Sequence, residues 1–275
     1  MKKLILNLTL FLFMGNVFAQ YTGSLHIPVD KFQVLDSATL KFTYRFTYVR
    51  DSLNPGTMKY VDLQTLLIAK NISKYYSQNF EDYCLSAMKD GKDDFKHFVE
   101  GSCGFEIFKD FPVKEMTVTD LGHKFLMSAD FLYKEDIPMM NWVINNDTSA
   151  VLSYSCQKAT TSFRGRNYEA WFTSEIPNNN GPWKFGGLPG LILKISDSKQ
   201  NFVFECIGVE QLKNLIPIKL YSLKYSTLTR KDLMKIYRRL FDDPDTFFKS
   251  VGSEMAGQHD PKDLPKLPYN PMELE

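Results

Sequence analysis

Ser37–Asp51 reads SATLKFTYRFTYVRD, and its alternation decides the fold class. Leu40, Phe42, Tyr44, Phe46 and Tyr48 fall on one side of an extended chain, with Lys41, Thr43, Arg45 and Thr47 on the other. Side chains repeat every second residue in a strand, so this stretch predicts a half-buried β-strand with an aromatic inner face. Asn54-Pro55-Gly56 closes it with turn chemistry.

The same reading extends along the chain. Strands are expected at Leu63–Ala69, Lys74–Ser77, Phe105–Phe108, Glu115–Leu121, His123–Tyr133, Asn141–Ile144, Ala150–Thr160 and Asn167–Thr173, joined mostly by short polar or Pro/Gly links. The 14 Tyr and 22 Phe suit extended structure. The expected fold is mainly β: a single curved antiparallel meander, half-barrel-like, with one or two helices chiefly near the C-terminus. Phe80–Met88 is one helical stretch, ended by Asp90-Gly91. Thr229–Phe241 is another, with Thr229 as cap, Asp232 at the reciprocal position, and Leu233, Ile236, Tyr237 and Leu240 on one face. A further helical turn starts at Asp243-Pro244.

The ends set the compartment. Lys2 and Lys3 precede an apolar run from Leu4 to Val17, and Val17-Phe18-Ala19 has the small residues a signal peptidase reads. Residues 1–19 are therefore expected to be a signal peptide, 20–252 one β-rich domain, and 253–275 an extended proline-rich tail carrying Pro261, Pro265, Pro268 and Pro271. Cleavage removes two of the 33 basic residues and none of the 32 acidic ones, leaving a net charge of about −1. That balance gives no electrostatic reason for a nucleic-acid partner. No later segment is long and apolar enough to span a bilayer, so the mature chain is not expected to be membrane-spanning. Cys84, Cys103, Cys156 and Cys206 would enter an oxidising compartment, where three connectivities are open. Cys84 with Cys103 closes the shortest loop and is the favoured pair.

Gly181–Ile195, GPWKFGGLPGLILKI, is the densest cluster of glycine and proline. Leu188-Pro189-Gly190-Leu191 has the chemistry of a type II turn, with Pro189 presetting φ and Gly190 supplying a positive φ. Leu191–Ile195 then reads as a strand and Phe202–Val209 as its return. The spacing is wrong for a phosphate loop, Pro189 removes an amide donor, and no nucleophile elbow is present. The stretch Gly187, Leu188, Pro189, Gly190, Leu191 and Ile192 is therefore read as architecture, with a binding role as the alternative.

Those six residues spell GLPGLI, and the chain resembles the GLPGLI family of Bacteroidetes secreted proteins. The resemblance runs through YSCQKAT (Tyr154–Thr160), Gly165-Arg166-Asn167-Tyr168-Glu169-Ala170-Trp171-Phe172, Ile176-Pro177, Gly181-Pro182, the hexamer and Asn270-Pro271-Met272-Glu273-Leu274. It implies an envelope location and, loosely, association with TonB-dependent receptors; the family has no established biochemical activity. It also implies candidate O-glycosylation at Ser37 in Asp36-Ser37-Ala38 and at Ser52 in Asp51-Ser52-Leu53.

Catalytic signals are sparse. His26, His97, His123 and His259 are scattered without metal-ligand spacing, and Met139-Met140 reads as core and lip of a strand start rather than a copper site. No metal, cofactor or catalytic set is expected. Arg164, Arg166, Tyr168, Glu169 and Trp171 form the richest polar–aromatic cluster. Arg166 and Tyr168 share one strand face and can clamp an anionic group; Trp171 and Trp183 bracket the glycine-rich loop and are expected to pack over it. These four are the ligand-binding candidates. The alternative is that Arg166 ties its strand to neighbouring carbonyls or a buried acid. The functional expectation is an exported, non-enzymatic envelope protein binding a lipophilic ligand or a partner protein, in the periplasm or at the outer membrane. The alternatives are a hydrolase with an unrecognised carboxylate site and an accessory protein for a TonB-dependent receptor.

Overall fold

The computed structural model describes residues 29–90, 99–121, 129–250 and 268–275. The signal segment 1–19 and all four histidines lie outside them, as does the tail from 253 to 267. One twelve-stranded sheet organises the described residues, in the order β12-β6-β5-β4-β3-β2-β1-β11-β10-β9-β8-β7. Its strands are β1 (Phe32–Val49), β2 (Lys59–Ile68), β3 (Ile72–Ser77), β4 (Phe105–Asp110), β5 (Glu115–Asp120) and β6 (Asp130–Asp136), then β7 (Val143–Val151), β8 (Tyr154–Phe163), β9 (Arg166–Thr173), β10 (Leu191–Asp197), β11 (Phe202–Tyr221) and β12 (Tyr225–Thr227). Two meanders, β1 to β6 and β7 to β11, meet where β1 pairs antiparallel with β11 along most of its length. Only β12 runs parallel to its neighbour. The sheet is open, not closed into a barrel. Three helices accompany it among the described residues: α1 (Gln78–Asp90), α2 (Arg230–Asp242) and α3 (Pro244–Ser250). Thr229 caps α2, its side chain accepting from the Asp232 amide.

The inner face predicted for Ser37–Asp51 is the centre of the core: Phe42, Tyr44 and Phe46 are buried, while Leu40 and Tyr48 pack at its margin. β3 and β11 lie three strands apart, about 14 Å in a flat sheet. Their rings Tyr75 and Phe204 nevertheless come within 6.5 Å. Side chains therefore converge over a concave face. The segment between β9 and β10, residues 174–190, crosses that face and fills it. Phe185 is wholly buried there, edge-on to Tyr168 at 4.7 Å and to Phe204 at 6.0 Å. The fully buried, small Ala159 and Ala170 belong to the same cluster.

The turn at Leu188–Leu191 differs from the type II expectation. The Gly190 amide donates to the Leu188 carbonyl at 2.8 Å, and the Leu191 amide goes instead to Ile176 at 3.2 Å. Gly190 is required by close approach: a Cβ there would lie 2.1 Å from the Thr173 carbonyl oxygen. Leu188, Leu191, Ile192 and Leu193 are all buried, so the apolar half of the motif is core. Tyr44 donates its hydroxyl to the Ile192 carbonyl at 2.7 Å, tying the loop's exit to β1.

Lys109 on β4 holds the loop from the other side. Its buried Nζ donates to Asn180 Oδ1 at 2.8 Å and to the Phe185 carbonyl at 2.6 Å. Burial pushes this amine down to about 7. An unfolded lysine titrates near 10.4, so between about pH 7 and pH 10 the unfolded chain keeps a proton that the folded one has lost, and stability rises with pH. The melting-temperature advantage of wild type over Lys109→Met is therefore expected to grow from pH 7 to pH 9. A pH-independent difference would contradict this assignment.

Candidate functional site

Two of the four ligand candidates, Arg166 and Tyr168, lie in a groove that the chain itself fills. Arg166 and Tyr168 leave β9 on the face that also buries Ala170 and Phe172. Arg166 donates through Nε to the Pro271 carbonyl at 3.1 Å and through Nη2 to Asn270 Oδ1 at 2.7 Å. Its plane lies 4.7 Å from the centre of the Phe202 ring, and Asp197 stands 3.5 Å from Nη1. The Tyr168 hydroxyl donates to the Met272 carbonyl at 3.2 Å. On the opposite strand direction, the Leu274 amide donates to the Arg164 carbonyl at 2.9 Å. Asn270 reaches across to the Val49 carbonyl at 2.7 Å. Residues 270–274 thus lie as a strap that bends at Met272, held through main-chain groups and through the Asn270 and Glu273 side chains.

Glu273 supplies the strap's charge recognition. It accepts from buried Lys184 at 2.7 Å, with Arg164 at 3.4 Å and Arg230 at 3.5 Å. Glu135 on β6 closes the network, meeting Lys184 and Arg164 each at 2.8 Å. Burial alone would raise the Glu135 carboxyl, but the Lys184 charge and the hydrogen bonds from Lys184 and Arg164 hold it below the ordinary glutamate range. Arg230, at the start of α2, also donates to the main-chain oxygen of Glu275. Gly165 has φ +80°, and a Cβ on it would meet Leu274 Cβ at 2.8 Å, so this turn glycine lets the strap lie close. Tyr269 stacks on Phe241 of α2 at 4.7 Å, anchoring the strap's entry.

Trp171 and Trp183 are not a pair over the loop. Trp183 is part of the loop, buried with a φ of +50° and 5.1 Å from Phe185. Strand alternation puts Trp171 on the other face of β9, where its Nε1 donates to Glu169 at 3.2 Å and Lys158 lies over its ring at 5.9 Å. Trp142 takes the bracketing place instead, donating from Nε1 to the Gly186 carbonyl at 2.9 Å. Glu135, Lys184, Arg230, Asn270 and Glu273 were absent from the sequence-derived site. The signals that could have found them are a lysine set in the apolar stretch Trp183–Phe185 and a glutamate among the marker residues Asn270–Leu274.

The Cys84–Cys103 bridge is not formed, since Cys103 is a thiol, as are Cys156 and Cys206. Cys103 Sγ is turned towards the Gly101 carbonyl at 3.7 Å, although Cys84 and Cys103 line one cavity. Burial pushes the Cys103 thiol well up, and lifts Cys206 to about 11. Iodoacetamide at pH 8 is therefore expected to spare both in the folded protein and to label them after unfolding; rapid labelling of native protein would contradict this. Ser37 lies half-buried within β1 opposite Pro217, whereas Ser52 is exposed in the β1–β2 turn. Met139 is exposed and Met140 packs against the core.

One other buried acid bears on catalysis. Asp62 is fully buried and accepts from Gln64, Ser77, Asn79 and the Cys103 amide at 2.9–3.1 Å. Burial raises its carboxyl despite those donors. It ties three segments together and is wholly buried.

Residues 164–194 match the family described as "Protein of unknown function (Porph_ging)". That match suggests a Bacteroidetes-type family. It spans β9, the loop and most of β10, and includes Arg164, Arg166, Tyr168 and Lys184 from the groove. No curated protein matches the chain. Among solved structures, PNGF-II in a P21 space group is similar at 14% identity and a TM-score of 0.48, with 72% of this chain and 32% of that one covered. PNGF-II in a C2 space group gives 15% identity and a TM-score of 0.44, with 78% and 33% covered. The chain spans about a third of the length of these structures.

Proposed function

We propose that this is an exported envelope protein of the GLPGLI type that works by binding a partner protein, not by catalysis. The carrying observation is the groove: its side chains grip a peptide segment through main-chain oxygens and the side chains of Asn270 and Glu273. That is the chemistry of peptide recognition. Signal cleavage after Ala19 would deliver the protein to the periplasm or the outer membrane, where an accessory role to a TonB-dependent receptor is one form of the same reading. The cavity under α1, lined by Val29, Phe80, Leu121 and Tyr221 among others, has about 10 Å³, room for roughly one water molecule. This cavity does not admit a lipid. Native mass spectrometry of the protein drawn from its own envelope tests this. A retained polypeptide is expected. A retained lipid-sized mass would overturn the reading in favour of a lipophilic ligand.

A further inference from the structure

We infer that the groove beneath Asn270–Glu275 is a recognition site for a short acidic peptide of a partner, and that the strap is its occupant in cis. The inference rests on the partner-binding reading and adds the partner's chemistry. Three observations carry it.

The first is charge. The groove presents four basic side chains, Arg164, Arg166, Lys184 and Arg230, against two acidic ones, Glu135 and Asp197. Glu273 of the strap offsets one of the two excess positive charges, so an acidic occupant suits the site. The second is the kind of contact. Arg166 and Tyr168 bind the carbonyls of Pro271 and Met272, and the Arg164 carbonyl takes the Leu274 amide. Any peptide that follows the strap's path offers those groups, so part of the grip is independent of side-chain identity. Selectivity falls on the Glu273 position, where three cations meet, and on the Gly165 surface that receives Leu274. The third is fit. Arg164 Nη1 is buried without a hydrogen-bond acceptor, reaching Glu273 only at 3.4 Å. The strap meets this donor through an ion pair without a well-formed hydrogen bond, and a peptide that brings an acceptor closer competes with advantage.

The strap lowers the apparent affinity for a competing peptide by the fraction of molecules in which the groove is vacant. Full-length protein and a fluorescent acetyl-Asn-Pro-Met-Glu-Leu-Glu peptide provide the test. Glu273→Gln in the protein loosens the strap, and this variant is expected to bind the peptide on the order of tenfold more tightly than wild type. Adding Arg166→Ala to it should abolish binding. Equal affinity for wild type and Glu273→Gln, or binding that ignores Arg166, would overturn the inference. Should Glu273→Gln not fold, wild type decides: excess peptide must shift the Leu274 amide resonance as the strap is displaced, and an unmoved resonance at saturating peptide refutes the competition. Peptide binding with only lipid retained from the envelope would leave the groove chemistry standing and remove the partner-protein reading. A retained polypeptide with an unmoved Leu274 resonance would do the reverse.

Discussion

Gly190→Ala is expected to destabilise the protein by about 3–5 kcal/mol, a large effect for adding one methyl group. The Cβ would stand 2.1 Å from the Thr173 carbonyl oxygen, 2.6 Å from its carbon and 2.9 Å from the Ser174 nitrogen. All three are backbone atoms of the segment leaving β9, so no side chain can swing aside. Relief requires β9 and β10 to part where Leu191 pairs with Thr173. For a domain of this size the cost corresponds to a melting temperature lower by roughly 10 °C. Gly187→Ala is the control. Gly187 also has a positive φ of +88°, but its nearest neighbour is Trp142 Nε1 at 3.8 Å. Only the conformational strain remains, about 1–2 kcal/mol. Thermal unfolding of the two variants side by side separates close approach from backbone strain. Equal losses would mean that the Gly190–Thr173 contact is not what the glycine is for.

Lys184→Ala should be comparably severe, at about 3–5 kcal/mol, because it leaves acids buried without their main counter-charge. Lys184 is itself buried and joins Glu135 at 2.8 Å to Glu273 at 2.7 Å, with the Tyr133 and Trp183 rings 5.3 Å and 5.4 Å from its ammonium. Removing it takes away the contact that links β6, the loop and the strap. Arg164 and Arg230 remain, but they meet Glu273 only at 3.4 Å and 3.5 Å. The acid response has a defined sign. Glu135 is held below its ordinary range, so its contribution is present above the unfolded glutamate pKa and is lost as pH falls through the folded one. Lys184→Ala should therefore flatten the loss of stability between pH 5 and pH 3 as well as lower the plateau at pH 7, both read from melting curves. A variant that kept the wild-type acid slope would show that Glu135 owes its low pKa to Arg164 and Arg230 instead.

How much of this was readable from the sequence differs from element to element. Ser37–Asp51 declared itself because five aromatic or aliphatic side chains alternate with four polar ones, and burial in a sheet demands that pattern. Thr229 was readable because helix capping is local chemistry. The far half of β11 was not: Gln211–Tyr221 includes Pro217 and lacks alternation. There β11 has β1 as its recorded partner and not β10, whose pairing covers only Val203–Glu205, and an edge tolerates a residue without an amide donor. The glycines of the loop signalled tight backbone geometry, but whether the cause was a turn or a close approach depended on Thr173, which sequence does not place. The groove was half visible. Arg166 and Tyr168 stand two apart on one strand and mark a face. Their occupant comes from more than a hundred residues away, and Lys184 reaches Glu135 and Glu273 over separations of 49 and 89 residues. Long-range charge pairing of that kind leaves no periodic trace.

Residue-resolved amide hydrogen exchange tests the division between scaffold and site most directly. The amides of Leu191 and Ile192, buried where the loop enters β10, donate to the Ile176 and Asn180 carbonyls. They are expected to exchange only through global unfolding, with free energies equal to those of the central strands. The Leu274 amide, bonded to Arg164, should exchange through a smaller opening of lower free energy as the strap leaves the groove. Loop amides that exchange as readily as Leu274, or a Leu274 amide protected to the full global value, would contradict a rigid loop carrying a groove with a displaceable occupant.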